Sequence, residues 1–153
     1  MVNIMINDVL VYPLKKICDE RGMIMHMLRR SDPHFEDFGE IYFSRTYPNV
    51  VKGWHEHKVQ TQFYCVIAGM IKLVLFDNRK KSPTQGRLLE LFIGEHNYQL
   101  IKIPPGVING YKVISPYSAI IANCATVPHD PKEMKRYDPH GDKVPYQWKR
   151  IDH

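Results

Sequence analysis

Cysteine is scarce in this chain, which has three among its 153 residues: Cys18, Cys65 and Cys124. Their odd number and wide spacing exclude a disulfide framework, and the sequence has no C-x-x-C pair that would indicate a zinc or redox site. Each cysteine lies among apolar neighbours. We therefore expect reduced, buried thiols in a protein of the cytoplasm.

Long apolar runs are also missing. No stretch approaches the roughly 20 apolar residues that a helix needs to cross a bilayer, and residues 1–8 lack the basic segment and apolar run of a secretory leader. No membrane association is expected, and the predicted localisation is cytoplasmic. The length of 153 residues and the hydrophobic content of 44% predict one compact domain over residues 1–153.

A concentrated basic patch is likewise absent. The formal net charge is +5, but the basic residues are scattered among acidic ones, and the one dense run, residues 79–81, lies between turn-forming residues. A nucleic-acid interface needs a broader basic stripe with interleaved aromatic residues, so nucleic acid is not an expected partner. The surplus charge fits a small anionic ligand such as a diphosphate, which two or three Lys or Arg side chains can hold.

Helical periodicity is rare, whereas short apolar segments separated by turn residues are frequent. The segments are rich in Val, Ile, Tyr and Phe, which is typical of β-sandwiches and barrels. One helical turn is predicted over residues 131–137, with Asp130 as its cap and Pro131 at its first position. The tail from Asp138 is expected to pack over the barrel as irregular structure. The apolar segments are residues 9–14, 24–28, 40–47, 62–67, 70–76, 87–92, 99–103, 110–114 and 118–125.

The stretch Lys52-Gly53-Trp54-His55-Glu56-His57 places two histidines one residue apart. Side chains alternate between the two faces of a strand, so His55 and His57 are predicted to point the same way. A second motif, residues 103–111, has the form of a tight turn leading into another strand. Together the two motifs predict the halves of a pocket in a small β-barrel.

The spacing of these motifs resembles the metal-binding motif of cupins. Gln62 stands in the place of a glutamate ligand and Asn109 in the place of a histidine ligand, so His55 and His57 are the only good ligands left. Neutral amides are poor ligands for transition metals. We therefore expect no metal and no other cofactor, and we assign His57 to the pocket wall as a substrate-binding residue.

Five motifs follow one another along nearly the whole chain. They are Asp19-Glu20-Arg21-Gly22, Lys52-Gly53-Trp54-His55, Asp77-Asn78-Arg79 with Ser82-Pro83-Thr84, Pro104-Pro105-Gly106, and Arg136-Tyr137-Asp138-Pro139. In this order the motifs resemble the dTDP-4-dehydrorhamnose 3,5-epimerase family. The resemblance implies an all-β cupin jelly-roll barrel with few or no helices, a homodimer, and a nucleotide-diphosphate 4-keto-6-deoxy sugar as the ligand.

The resemblance also implies a role for individual residues. His55 stands where the family keeps its general base, and Asp138 where it keeps the carboxylate that orients that histidine. Lys52 takes the place of an arginine that touches the substrate or its diphosphate. Arg21 matches an arginine that helps to hold the nucleotide, often from the neighbouring subunit.

Three positions depart from the family pattern and carry neutral amides. The family's lysine is replaced by Gln62, its second pocket histidine by Asn109, and its tyrosine general acid by Asn123. The amide NH₂ groups of Gln62 and Asn109 can donate to an enolate oxygen, but Asn123 cannot supply a proton. Tyr64, which shares the face of Gln62 by alternation, is the predicted catalytic acid. Tyr42 is a second candidate and, with the three amides, a predicted substrate-binding residue.

A ketone at carbon 4 of a sugar acidifies the hydrogens on its neighbours, and a histidine is a suitable base to remove them. The predicted function is an epimerase-like enzyme acting at carbon 3, carbon 5 or both. A role in bacterial surface-polysaccharide synthesis, such as that of an O-antigen or lipopolysaccharide, rests on the resemblance alone. Two alternatives stay open. One is a sugar 3,4-ketoisomerase, which the local Gly-x-His-x-His-Lys pattern resembles, and the other is a non-catalytic nucleotide-sugar binder.

Overall fold

The computed structural model describes residues 5–153, and within that range the chain is built from β-strands without an α-helix. Residues 1–4 of the predicted domain lie outside the described residues. No helix with the length and apolar character of a membrane span occurs in residues 5–153. The twelve strands are β1 (Leu10–Pro13), β2 (Lys16–Asp19), β3 (Gly22–Met25), β4 (Glu40–Thr46), β5 (Val51–His57), β6 (Gln62–Ala68), β7 (Met70–Asp77), β8 (Leu88–Gly94), β9 (Gln99–Ile103), β10 (Val107–Val113), β11 (Ala119–Ala125) and β12 (Met134–Arg136).

Two five-stranded antiparallel sheets form a jelly-roll barrel. Sheet I has the strand order β1-β9-β6-β11-β4, and sheet II has the order β12-β5-β10-β7-β8. Strands β2 and β3 pair as a separate hairpin. The prediction of an all-β cupin jelly roll is therefore confirmed.

The main core lies between the two sheets. Strand β7 shows how the sequence builds it: Ile71, Leu73 and Leu75 are fully buried in the core, whereas Val74 points to the outer face of sheet II. This alternation is the period of two that a strand imposes on its side chains. Burial of each such aliphatic side chain stabilises the fold by about 1.5–3 kcal/mol.

A second apolar cluster covers the outer face of sheet II. It joins Trp54 of β5 to Val144 and Trp148 of the C-terminal tail, and the two indole rings lie 4.8 Å apart between centroids. The Trp148 indole Nε1 donates a hydrogen bond to the Pro139 carbonyl at 3.0 Å. The tail therefore packs over the barrel in irregular structure, as the sequence predicts.

Two local predictions are wrong. Residues 131–137 form a turn followed by strand β12, because the backbone of this segment pairs with β5 and Arg136 lies opposite His55. Asp130 accepts a hydrogen bond from the Lys132 backbone N–H at 2.8 Å, which closes a turn rather than caps a helix. Cys18 is exposed on the β2–β3 hairpin, whereas Cys65 and Cys124 are buried as expected.

Candidate active site

A cavity of about 680 Å³ lies between sheet I and sheet II. It brings together predicted site residues from the consecutive strands β4, β5 and β6 and from the distant strand β11. Those that line it are Tyr42, Lys52, His55, His57, Gln62, Tyr64 and Asn123. The predicted residues outside this lining are Arg21, Asn109 and Asp138.

The cavity has two walls from different sheets. We call the sheet II side the histidine wall; it consists of Lys52, His55 and His57 from β5 and Arg136 from β12. We call the sheet I side the tyrosine wall; it consists of Tyr42 from β4, Gln62 and Tyr64 from β6, and Asn123 from β11. The imidazoles of His55 and His57 therefore enter the cavity from the sheet opposite that of the Tyr42 and Tyr64 phenols.

Strand alternation places both histidines in the cavity, as predicted. His55 and His57 point inward, whereas Trp54 and Glu56 point to the outer face of sheet II. Glu56 accepts hydrogen bonds there from the Tyr137 hydroxyl at 2.5 Å and the Asn78 amide at 2.9 Å.

His55 is neutral at physiological pH. Burial is the main cause that lowers the pKa of its imidazole to about 4, and the neighbouring charges of Arg136, His57 and Lys52 contribute to the same shift. A neutral imidazole has a free lone pair, which is the form that a general base requires. Nearby cations also favour the approach of an anionic ligand.

The structure corrects the predicted pairing of His55 with Asp138. No hydrogen bond joins the two within residues 5–153, and the Asp138 carboxylate instead accepts a bond from the backbone N–H of His140 at 2.8 Å. The cause is the course of the chain after β12. Tyr137 still pairs with the backbone of Trp54, but residues 138–141 then turn away, and Asp138 is exposed.

Of His55 and His57, it is His57 that has a carboxylate partner among the residues that the structure describes. Its Nδ1 is hydrogen-bonded to Glu133, whose other oxygen accepts backbone N–H bonds from Lys58 at 3.0 Å and Val59 at 3.1 Å. Burial opposes ionisation of Glu133, but the hydrogen bonds from His57 and the backbone outweigh it and lower the pKa of this carboxyl. The sequence did not indicate Glu133, because it lies 76 residues from His57 and no local motif marks it.

Two buried amides from the two sheets, Asn109 of β10 and Gln62 of β6, form a chain that ends at a phenol. Asn109 donates from Nδ2 to the Gln62 carbonyl oxygen at 2.9 Å, and Gln62 donates from Nε2 to the Tyr64 hydroxyl oxygen at 3.2 Å. Burial, with Tyr42 and Tyr111 nearby, raises the pKa of Tyr64 well above its usual value. Tyr64 is therefore a protonated phenol whose O–H is free to donate.

Asn123 supports the second phenol in the same way. It pairs with Tyr42 across the β11–β4 ladder, and its Nδ2 donates to the Tyr42 hydroxyl oxygen at 2.9 Å. Burial is the main cause that raises the pKa of Tyr42. The Asn123 Oδ1 is enclosed and has no hydrogen-bond partner within residues 5–153.

Lys52 and Arg136 make the histidine wall cationic. Lys52 donates from Nζ to the Ser44 hydroxyl at 2.9 Å, which holds the ammonium group at the cavity. Both cations are close enough to His55 to lower its pKa. A pair of fixed cations beside a cavity of this size can hold the phosphates of a nucleotide.

Arg21 is outside the cavity formed by this chain. It follows β2 at the turn of the hairpin, its side chain is 85% exposed, and it forms an ion pair with Asp19 at 2.5 Å. It can therefore reach a substrate in this cavity only as part of another copy of the chain or after a rearrangement.

Two of the four cupin metal positions, Gln62 and Asn109, are hydrogen-bonded to each other. The Gln62 carbonyl oxygen, which would face a metal, accepts the hydrogen bond from Asn109. No cluster of three or more His, Cys, Asp or Glu side chains suited to a metal ion occurs among the residues that the structure describes.

Comparison with known proteins gives a match over nearly the whole chain. The family model for dTDP-4-dehydrorhamnose 3,5-epimerase matches residues 3–152. The chain is 36% identical to a probable low-salt glycan biosynthesis epimerase, Agl13, of Haloferax volcanii, with 92% of this chain and 88% of the relative covered. It is 32% identical to the spore coat polysaccharide biosynthesis protein SpsL of Bacillus subtilis, with 94% and 97% covered.

A solved structure supports the same relationship. The crystal structure of a dTDP sugar isomerase from Desulfovibrio desulfuricans matches with a TM-score of 0.92 and 39% sequence identity. The match covers 96% of this chain and 94% of that one. The barrel and its strand order are therefore those of a known group of sugar-nucleotide proteins.

Proposed function

Because the chain belongs to the dTDP-4-dehydrorhamnose 3,5-epimerase family, we propose that it is an epimerase-like enzyme acting on a nucleotide-diphosphate 4-keto-6-deoxyhexose. It acts at carbon 3, carbon 5 or both, in the cytoplasm. The names of two relatives refer to glycan and polysaccharide biosynthesis. This supports a role in making sugars for a surface polysaccharide such as an O-antigen.

One observation carries the proposal: a neutral histidine and a protonated tyrosine line one cavity from opposite sheets. Inversion of a carbon centre requires that the proton leaves one face and that another proton arrives on the opposite face. A base and an acid on the same wall would return the proton to the same face. His55 and Tyr64 satisfy the requirement for inversion.

The reaction begins with His55, which takes the hydrogen from the carbon next to the ketone. The electrons of that C–H bond move into the ketone, which becomes an enolate. Tyr64 then gives its hydroxyl proton to the same carbon from the other side, and the ketone re-forms with inverted configuration. Lys52 and Arg136 hold the diphosphate, so the sugar ring is positioned between the two walls.

Incubation with dTDP-4-keto-6-deoxyglucose in deuterated water tests this function. We expect deuterium at carbon 3, carbon 5 or both, together with a product of inverted configuration, both measured by NMR. A reaction mixture without protein measures the spontaneous exchange of the ketone. Tight binding of the nucleotide sugar without exchange would instead support a non-catalytic binding protein.

Substitution of Lys52 tests the proposed diphosphate contact. We expect Lys52→Met to weaken dTDP binding by about 10-fold, because one charge-assisted contact with phosphate is lost. The measurement is isothermal titration calorimetry at two salt concentrations, and the salt dependence should also decrease. Lys135→Met is the matched control, since Lys135 is an exposed cation of β12 outside the cavity lining. Equal affinities of the two variants would contradict the assignment.

We further propose a homodimer in which the β2–β3 hairpin covers a second copy. The hairpin exposes Ile17, Met23 and Ile24, and the edge strand β4 of sheet I exposes Ile41 and Phe43. Exposed apolar side chains on an unpaired edge are a surface that another chain can cover. Such an arrangement would place the hairpin turn that contains Arg21 against the neighbouring subunit.

Light scattering after size exclusion tests the dimer. We expect a mass of twice the 18.0 kDa of one chain, and we expect Ile24→Glu to shift the protein toward the monomer because it places a charge in the covered surface. Ile151→Glu is the control, since Ile151 is 77% exposed in the C-terminal tail, outside the hairpin and β4. A wild-type protein that is monomeric at tens of micromolar would refute the proposal.

A further inference from the structure

The enolate oxygen needs a hydrogen-bond donor, and the predicted donors are two neutral amides. Asn109 gives an N–H to Gln62, and Gln62 gives one of its two N–H groups to Tyr64. Asn109 is also absent from the cavity lining. The second N–H of Gln62 can stabilise an oxyanion, but an amide cannot transfer a proton to it, so an acid that can transfer a proton is the stronger donor.

We propose that His57, paired with Glu133, gives a proton from Nε2 to the ketone oxygen as the enolate forms. This assignment rests on the proposed function and gives that function an oxyanion donor. His57 then takes the role left open by Gln62, while His55 remains the base at carbon. The two histidines have different roles because their surroundings differ: one has cations nearby, and the other has a carboxylate.

The geometry leaves His57 one atom for the substrate. Nδ1 is occupied by Glu133, and His57 lines the cavity with its side chain 7% exposed. Within residues 5–153, Nε2 has no hydrogen-bond partner, yet it is not among the enclosed unpaired atoms, which belong to His34, Trp54, Asn109 and Asn123. Nε2 is therefore open to the cavity.

Glu133 lowers the free-energy cost of placing a proton on Nε2 of His57 in a buried site. Its carboxylate is fixed by the backbone N–H groups of Lys58 and Val59 and lies on the far side of the imidazole from Nε2. The negative charge offsets the positive charge that His57 acquires when both ring nitrogens carry hydrogen. The pair can hold and release a proton without burying an isolated charge.

The proton balance is complete. As His55 removes the carbon proton, the His57 Nε2–H bond breaks and an O–H bond forms on the ketone oxygen, which gives a neutral enol. When Tyr64 protonates the carbon from the opposite wall, the enol O–H proton returns to His57 Nε2. Proton exchange with water then restores Tyr64 and His55, and no oxidant or cofactor is consumed.

Two substitutions of His57 separate this role from a purely structural one. Asparagine places its amide near the position of Nδ1, so His57→Asn keeps the tie to Glu133 and loses the cavity-facing donor. Glutamine places its amide near the position of Nε2, so His57→Gln keeps a donor in the cavity and loses the tie. We expect deuterium exchange to fall about 100-fold in the Asn variant, with KM changed less than about 3-fold. We expect a smaller fall of about 10-fold in the Gln variant, because its amide N–H can still hydrogen-bond to the oxyanion but cannot transfer a proton to it.

Each outcome of this experiment is decisive. If His57 only holds Glu133 in place, the Asn variant will be active, and the Gln variant will have lower activity and a lower melting temperature. That result would overturn the inference. Equal activity of both variants would overturn it as well. Absence of exchange in the wild-type protein would overturn the proposed function and this inference together, whereas wild-type exchange that the Asn variant retains would overturn the inference alone.

Discussion

Replacement of His55 by asparagine is expected to lower both deuterium exchange and epimer formation by about 1,000-fold or more. The asparagine side chain occupies a similar place on the histidine wall but has no basic lone pair to accept the carbon proton. Affinity for dTDP should change little, because the proposed phosphate contacts are those of Lys52 and Arg136. The measurements are NMR of the products in deuterated water and calorimetry with dTDP.

His96→Asn is the matched control for this experiment, because His96 is an exposed histidine outside the cavity lining. It should retain wild-type exchange. Activity of His55→Asn within 10-fold of wild type would assign the base to another residue. The acid limb of the pH profile is a second check. Since the pKa of His55 is about 4, its lone pair stays available down to about pH 5, so kcat/KM should fall only below that pH.

Strand alternation explains why much of the candidate site is predictable from the sequence. A period of two places His55 and His57 on one face of β5, and Gln62 and Tyr64 on one face of β6, whatever the neighbouring strands are. The structure confirms both pairs in the cavity lining. Local patterns of this kind report the face of a strand, because the side-chain period is a property of the backbone itself.

The partners of these side chains depend on strand order and register, which local patterns do not report. The Glu133 contact exists because β12 adds to the edge of sheet II beside β5. The cap and the proline of residues 131–137 indicate a helical turn, so no local pattern predicts this strand pairing. The predicted pairing of Asp138 with His55 is wrong for the same reason, because the position of Asp138 depends on where β12 ends.

The three amides that replace reactive family residues also acquire a role only in the folded chain. In sequence, Gln62, Asn109 and Asn123 are losses of charge and acidity. In the structure, Gln62 and Asn123 each donate to a phenol oxygen. A phenol that only accepts a hydrogen bond keeps its own proton free to donate. The same hydrogen bond stabilises the negative charge on the phenol oxygen after the proton has left. The amides therefore favour two tyrosines as proton donors.

Tyr64→Phe is expected to separate proton exchange from inversion. Without the hydroxyl, the enolate can be reprotonated only from the His55 side, which restores the original configuration. We expect epimer formation to fall about 1,000-fold, while deuterium still enters the recovered substrate at a rate within about 10-fold of wild type. Loss of the hydroxyl leaves one buried N–H of Gln62 without its acceptor, so the melting temperature should fall by a few degrees. The test requires NMR of both the product and the recovered substrate.

Tyr42→Phe is the matched comparison, because it removes the other phenol of the tyrosine wall. If Tyr64 is the acid, the Tyr42 variant should still form epimer within about 10-fold of wild type, since Tyr42 then only contacts the substrate. The reverse result, with inversion lost in Tyr42→Phe and retained in Tyr64→Phe, would assign the role of catalytic acid to Tyr42. If both variants, Tyr42→Phe and Tyr64→Phe, still exchange deuterium and form an isomer, then a tyrosine opposite His55 does not supply the proton for inversion. That outcome would favour a 3,4-ketoisomerase, because moving a proton along one face of the sugar requires only the histidine wall.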